Sequence, residues 1–390
     1  MYEERCVMQF ISRFMWITIR PDAAAAPENP IFKKALSWYF SVMNDRKPAK
    51  FLIAKRIQSP ENPAKLDEES LWDLHKELSK EFESLLREVR KEDISLSIFM
   101  AKFHEFSPSF LDVKIELTKR ILSRCRFCER SCKVDRASGE KGFCRLDTTT
   151  YVHSWFHHLG EEAPLVPSGT IFYGSCNFRC VFCQNWDISQ ENYTAGVEVT
   201  PKSLALMQRE LRIRGARNIN HVGGDPTPNI HTIIESLKYL DINVPQLWNS
   251  NFYMSKEAME ILIHVIDIWL PDFKYGNDKC AIKLSSAPKY FEVVTRNLLI
   301  AIEHGDMIIR HLVLPNHIEC CTKPILKWIA NNLPKDRVLV NIMDQYRPEY
   351  LVARYPSKFK DISRRLKYNE LKEAFTYAER LKILFEDISR

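Results

Sequence analysis

No apolar run in the 390 residues reaches the roughly 18 uninterrupted positions that a membrane span requires, so no spanning helix is predicted. The apolar opening, Cys6 to Ile19, is broken by Arg13, has no basic n-region and leads to no clear cleavage pattern, although Ala23 to Ala26 follow. With no targeting signal to read, the expected location is the cytoplasm, and no membrane partner is expected. An excess of one charge is lacking too: 56 Lys and Arg against 50 Asp and Glu leave a net +6, scattered along the chain. This does not argue for an acidic or nucleic-acid partner and leaves one open. With 45% hydrophobic and 27% charged residues, disorder and fibrous classes are excluded.

What is present in quantity is cysteine. Seven of the 11 fall between Cys125 and Cys183 in two close groups, and in a reduced cytosol such grouping reads as metal ligation before disulfides. The length exceeds what one core supports, so a large catalytic domain with a smaller appendage is expected.

Residues 1–120 read as a mostly helical N-terminal extension with Pro-rich breaks at Pro21–Pro30 and Pro60–Pro63. Within it, Leu66 to Glu92 carries Leu71, Leu74, Leu78, Phe82, Leu85 and Val89 at 3- and 4-residue spacing, which predicts an amphipathic helix packed on the surface. Residues 121–166 form a Cys-rich metal-binding segment and lead-in, 167–350 the main domain, and 351–390 a C-terminal helical segment.

In the main domain six β-rich runs alternate with helical stretches: Gly169–Gly174, Asn218–Gly223, Val244–Ser250, Ile266–Phe273, Met307–Leu314 and Val338–Met343. Such alternation implies right-handed crossovers and a parallel sheet. No Gly-x-Gly-x-x-Gly follows the first run, which removes the main support for a dinucleotide fold and favours an α/β barrel, complete or partial. Polar groups cluster at the C-terminal ends of these runs. The first opens into the Cys176 loop, and the second ends in Gly223, Gly224 and Asp225. The third ends in Asn249, Ser250 and Asn251, and the fourth carries Asp272 and Lys274. The fifth contains Arg310 and His311, and Asp344 and Gln345 follow the sixth. Parallel barrels gather catalytic groups at this mouth.

The loop Cys176-Asn-Phe-Arg-Cys180-Val-Phe-Cys183 has the spacing Cys-x3-Cys-x2-Cys. Three thiolates can hold three irons of a cubane and leave the fourth without a protein ligand. A zinc site that borrows a nearby His is the plainer alternative.

This arrangement, with Phe182 in the aromatic position, resembles the signature of the radical S-adenosylmethionine (radical SAM) superfamily. The wider stretch from Ser168 to Gln190 resembles the branch related to pyruvate formate-lyase activating enzymes, and the likeness runs from about Cys125 to about Tyr346. The resemblance implies an α/β fold with a partial (β/α)6 TIM-like barrel, matching the count of six runs, and a [4Fe-4S] cluster on Cys176, Cys180 and Cys183, with SAM chelating the open iron. It further implies reductive cleavage of SAM to a 5'-deoxyadenosyl radical, which abstracts hydrogen from a protein or metabolite substrate, with a low-potential donor such as flavodoxin or ferredoxin. Phe182 would lie near the adenine. Gly223-Gly224-Asp225 stands where the family has Gly-Gly-Glu, which meets the methionyl amino group; here the acid is one methylene shorter. Asn249, Ser250, Asp272 and Lys274 would flank SAM, while Lys274 and Arg310 can neutralise a carboxylate and His311 accompanies Arg310. Radical modification of RNA, or a non-catalytic iron-sulfur or zinc protein serving electron transfer or as a scaffold, are the alternatives.

Upstream, Cys125-x2-Cys128-x3-Cys132-x11-Cys144 offers four thiolates for a closed second site, either structural zinc or an auxiliary iron-sulfur cluster. Activating enzymes place auxiliary ligands after the SAM loop, so the position of this group favours a structural metal. Cys6, Cys280, Cys320 and Cys321 show no ligand spacing and are read as incidental thiols, the vicinal pair Cys320-Cys321 being a weak redox candidate. His153, His157 and His158, ahead of Glu161 and Glu162, are placed in a loop near the first strand, within reach of substrate.

Overall fold

The computed structural model describes residues 15–91 and 94–389. Cys6, most of the apolar opening stretch, and the predicted helix end at Glu92 lie outside the described residues. The helices used below are α1 (Glu68–Lys91), α2 (Phe110–Ser123), α3 (Pro201–Ile213), α4 (Ile230–Tyr239), α5 (Lys256–Leu262), α6 (Asp278–Ser285), α7 (Tyr290–His304), α8 (Lys323–Asn332) and α9 (Tyr368–Leu381). The strands are β1 (Thr150–His158), β2 (Ser168–Tyr173), β3 (Val197–Val199), β4 (Ile219–Gly223), β5 (Gln246–Ser250), β6 (Ile268–Pro271), β7 (Asp306–Leu312) and β8 (Val338–Met343).

These strands form one sheet in the order β3-β1-β2-β4-β5-β6-β7-β8. From β2 onward every neighbour is parallel, and helices fill the crossovers. The α/β fold is thus a partial barrel whose six parallel strands correspond to the six predicted runs. Its edge at β8 is covered by the C-terminal segment, where the Val340 N–H donates to the Leu384 carbonyl at 2.9 Å.

Two further strands run antiparallel. β1 pairs with β2 and with β3, which corrects the expectation that His153, His157 and His158 occupy a loop. The segment Thr-Tyr-Val-His-Ser-Trp-Phe-His-His is rich in β-branched and aromatic residues, and its burial alternates over most of its length. His157 sits buried on the helix side with Nε2 against the Leu211 carbonyl, and His153 contacts the Tyr193 carbonyl.

Alternation along the parallel strands divides the core in two. Trp248, Trp269, Ile309 and Val340 face the surrounding helices. Leu247, Ile268, Leu270, Ile308 and Leu339 face inward and pack against Tyr39, Phe40, Leu165 and Val166. The interior is therefore filled by side chains of the N-terminal region. The predicted amphipathic helix is α1, with Leu71, Leu74, Leu78, Phe82 and Val89 buried; Leu86 takes the deep position in place of Leu85, which is only partly buried. It packs on α2, where the Phe82 and Phe110 rings lie 6.1 Å apart.

Candidate cluster and cofactor site at the barrel mouth

The Cys176 loop leaves β2 at its C-terminal end and is held by backbone contacts from two directions. Arg179 N–H donates to the Ser285 carbonyl at 3.0 Å and Val181 N–H to the Leu284 carbonyl at 2.9 Å, so the end of α6 carries the loop. From the other side, the Gly224 N–H bonds to the Tyr173 carbonyl and the Asp225 N–H to the Ser175 carbonyl, both at 2.9 Å. That approach needs glycine. A Cβ on Gly224 would lie 1.9 Å from the Ser175 carbonyl oxygen, and Gly223 adopts φ +118° with the Tyr173 backbone 2.2 Å from its Cβ position.

The three thiols of the loop influence one another electrostatically, Cys176 being buried and Cys180 and Cys183 half-buried. Burial pushes the Cys176 thiol up, and the charges of Asp225, Cys180 and Cys183 push it further. Cys180 is pushed up to about 12 by burial and by Cys183, with Lys274 opposing, and burial raises Cys183 as well. Each sulfur has a polar neighbour. Phe178 N–H donates to Cys176 Sγ at 3.3 Å, Ser285 Oγ to Cys180 Sγ at 2.9 Å, and Ser189 Oγ lies 3.3 Å from Cys183 Sγ. Three thiols on one loop at a strand-end mouth, one buried and two half-buried, fit a metal cluster, because thiolates stay near one another out of water when a cation neutralises them.

Around this loop the structure brings together most of the residues singled out from the sequence. Asp225 is buried and ties two loops, since Oδ1 accepts from Thr227 N–H and Oδ2 from Asn251 N–H, each at 2.9 Å. Burial raises its carboxyl to about 6 against those hydrogen bonds. Asn251 Nδ2 lies 3.7 Å from Cys176 Sγ, which links the Asp225 loop to the sulfurs. Ser250 Oγ accepts from Phe252 N–H at 3.1 Å, and Asn249 Nδ2 is buried at the end of β5 with no hydrogen-bond partner among the described residues. Lys274 Nζ pairs with Asp272 Oδ2 at 2.6 Å and contributes positive potential at Cys180 and Cys183. Phe182 is buried edge-on to Tyr346, ring centroids 5.7 Å apart.

Arg310 and His311 are placed differently. Arg310 points into the barrel, where Nη2 meets Glu162 at 2.6 Å and also Glu161, so its single charge is already shared between two carboxylates of the chain itself. His311 does not join the group. Strand alternation sends it outward, with Nδ1 at 2.8 Å from the Phe273 carbonyl and Nε2 at 2.9 Å from Thr322 Oγ1, so both ring nitrogens are engaged.

Cys125, Cys128, Cys132 and Cys144 line one cavity together with Arg136, Phe143 and Asn177. This group abuts the Cys176 loop. Arg130 Nε donates to the Asn177 carbonyl at 3.0 Å, Arg130 and Arg179 both stack on Phe143, and Ser175 Oγ bonds to the Cys144 carbonyl.

The reading of Cys280, Cys320 and Cys321 as incidental thiols is corrected by the structure. With His317 they form a compact set whose ligand atoms all lie within 4.8 Å of one another. The signal in the sequence was short: His317-x2-Cys320-Cys321 places three ligands within one helical turn.

The family model described as the Radical SAM superfamily matches residues 170–329, which spans the sheet from β2 to α8 and includes the Cys176 loop. Residues 170–329 thus carry a radical SAM domain, and that family implies a [4Fe-4S] cluster and SAM as cofactors. An uncharacterized protein of Methanocaldococcus jannaschii, MJ0674, is 42% identical over 353 residues, covering 89% of this chain and 98% of that protein. A second from the same organism, MJ0808, is 26% identical over 256 residues, covering 60% of this chain and 73% of its own length. Among solved structures, Streptococcus suis SuiB bound to precursor peptide SuiA gives a TM-score of 0.40 at 15% identity over 54% of this chain and 46% of that one. TYW1 with a lysine-pyruvate adduct bound gives 0.34 at 12% identity, over 55% of this chain and 74% of that chain. The chain thus spans less than half the length of SuiB. No helix among the described residues is long and apolar enough to cross a membrane.

Proposed function

We propose that Cys176, Cys180 and Cys183 hold the superfamily's [4Fe-4S] cluster, and that the chain uses it with SAM to abstract hydrogen from a protein or metabolite substrate. The observation that carries this reading is the placing of three cysteines, Cys176 buried and Cys180 and Cys183 half-buried, on one loop at the strand-end mouth, where Asn251 after β5 and Ser285 of α6 reach the sulfurs. Held by Cys176, Cys180 and Cys183, such a cluster would supply the one-electron reductive cleavage of SAM on which hydrogen abstraction depends. The chain's own residues position and shield. Gly223 and Gly224 bring the β4 loop onto the sulfurs, and Asp225 presents a buried carboxylate for the methionyl amino group. Asn249 offers an unpaired donor, and Ser250 and the Asp272–Lys274 pair flank the cofactor. Phe182, packed edge-on to Tyr346, would lie near the adenine.

The stretch from Ser168 to Gln190 supports an activating-enzyme-like branch, with a flavodoxin or ferredoxin as electron donor. Cys125, Cys128, Cys132 and Cys144 hold a second metal, zinc or an auxiliary cluster, in contact with the first loop through Asn177 and Phe143.

Anaerobic reconstitution followed by electron paramagnetic resonance tests the central claim. Addition of SAM should change the spectrum, and reduced protein should release 5'-deoxyadenosine. Cys180→Ala should lose about four irons and all nucleoside release while keeping the upstream metal. A spectrum indifferent to SAM, or full iron content in Cys180→Ala, would refute it.

A further inference from the structure

We infer that Cys280, His317, Cys320 and Cys321 form a structural zinc site, separate from the two cysteine groups nearer the N-terminus. The distances are those of a tetrahedron. His317 Nδ1 lies 3.7 Å from Cys280 Sγ, 3.3 Å from Cys320 Sγ and 3.7 Å from Cys321 Sγ. Cys320 Sγ lies 3.9 Å from both Cys280 Sγ and Cys321 Sγ. With Zn–S near 2.3 Å and Zn–N near 2.0 to 2.1 Å, tetrahedral geometry puts sulfurs about 3.8 Å apart and sulfur about 3.5 Å from nitrogen.

The surroundings serve that ligand set. His317 Nε2 faces Asp361 Oδ2 at 3.6 Å, an arrangement that leaves Nδ1 free for the metal and orients the ring. Asp361 is itself held by Lys283 at 2.6 Å. Asn277 caps α6 through the Cys280 N–H at 2.9 Å and donates to the Cys320 carbonyl at 2.7 Å, which ties the two ligand-bearing elements together. Gly276 permits the close approach, because a Cβ there would lie 2.7 Å from the Cys321 carbonyl oxygen and 2.9 Å from that of Cys320. A single π-helical turn, Ile318–Thr322, carries Cys320 and Cys321 onto the side facing Cys280.

Four protein ligands leave no open position, so the role is structural and not catalytic. Zinc here cross-links the start of α6 to the turn before α8. The other end of α6 is the one that holds Arg179 and Val181 of the Cys176 loop.

Zinc content of the full chain, purified anaerobically, tests the site. Cys320→Ser should contain one zinc per chain fewer than the parent, while Cys180→Ala, which removes a ligand of the other centre, should keep this zinc. Unchanged zinc in Cys320→Ser, or zinc lost only with Cys125→Ser, would overturn the assignment. Should Cys320→Ser not fold, zinc-edge X-ray absorption of the parent decides. Imidazole scattering beside a sulfur shell supports the site; an all-sulfur shell, no zinc, or a Cys280–Cys320 disulfide in reduced protein rejects it.

Discussion

At Gly224 a single hydrogen atom separates a working loop from a collision. The Ser175 carbonyl occupies the space a methyl group would need, at 1.9 Å from the Cβ position. Neither partner can yield cheaply, because the carbonyl accepts from Asp225 N–H and the next residue is Cys176. Gly224→Ala should therefore displace the Cys176 loop and destabilise the protein by about 3 kcal/mol or more, read in urea unfolding. Iron content after reconstitution should fall as well; an alanine variant with parental stability and iron would show that the loop has slack. This residue was legible from the sequence as part of a glycine pair at a strand end. The roles of Arg310 and His311 were not, because adjacent residues on a strand face opposite sides and their partners lie far away in the chain. Cys280 escaped for a similar reason: its co-ligands stand about forty positions downstream, and only the fold brings them near.

Strand elements are joined inside the barrel by a polar layer above the apolar one. Glu161 and Glu162, from the connection between β1 and β2, meet Arg310 of β7. Asn220 of β4 donates to Glu161 Oε1 at 3.0 Å, and Asn341 of β8 to Glu162 Oε1 at 2.8 Å. Four elements thus share one buried charge group. Burial raises the Glu161 carboxyl, but Arg310 and His158 outweigh it and hold it down to about 2, against an ordinary 4.5. The sign follows from linkage: a carboxyl depressed on folding contributes stability that is complete above about 4.5 and is lost as pH falls toward about 2. Arg310→Met should leave Glu161 and Glu162 buried with only His158 beside Glu161 to offset them, and cost about 3 to 5 kcal/mol at neutral pH. The loss should shrink on acidification, which a pH series of urea midpoints reads; an equal loss at every pH would deny the coupling. The six parallel strands were legible because their β-rich runs end in polar groups. β1 was not, since its histidines and Ser154 interrupt the apolar pattern and imitate a loop.

Across the whole molecule the N-terminal region behaves as part of the barrel, although its sequence showed only helical periodicity and proline breaks. Tyr39 N–H donates to Asp306 Oδ2 at 2.8 Å and Trp38 Nε1 to Asp267 Oδ1 at 2.9 Å, which fastens this region to the N-terminal ends of β6 and β7. Lys50 reaches the same end, its buried Nζ donating to the Ile263 carbonyl at 2.9 Å. Tyr39 and Phe40 cover Leu247, Ile268, Leu270, Ile308 and Leu339, five apolar side chains that the sheet leaves facing inward. A chain lacking residues 1–48 would open that surface to water, forming an apolar patch of the kind that binds dyes and promotes aggregation. Such a truncation should bind anilinonaphthalene sulfonate strongly, lose near-ultraviolet circular dichroism and unfold without a cooperative transition. A truncated protein that melts as sharply as the full chain would instead make the extension an independent appendage, with the barrel interior sealed by its own strands.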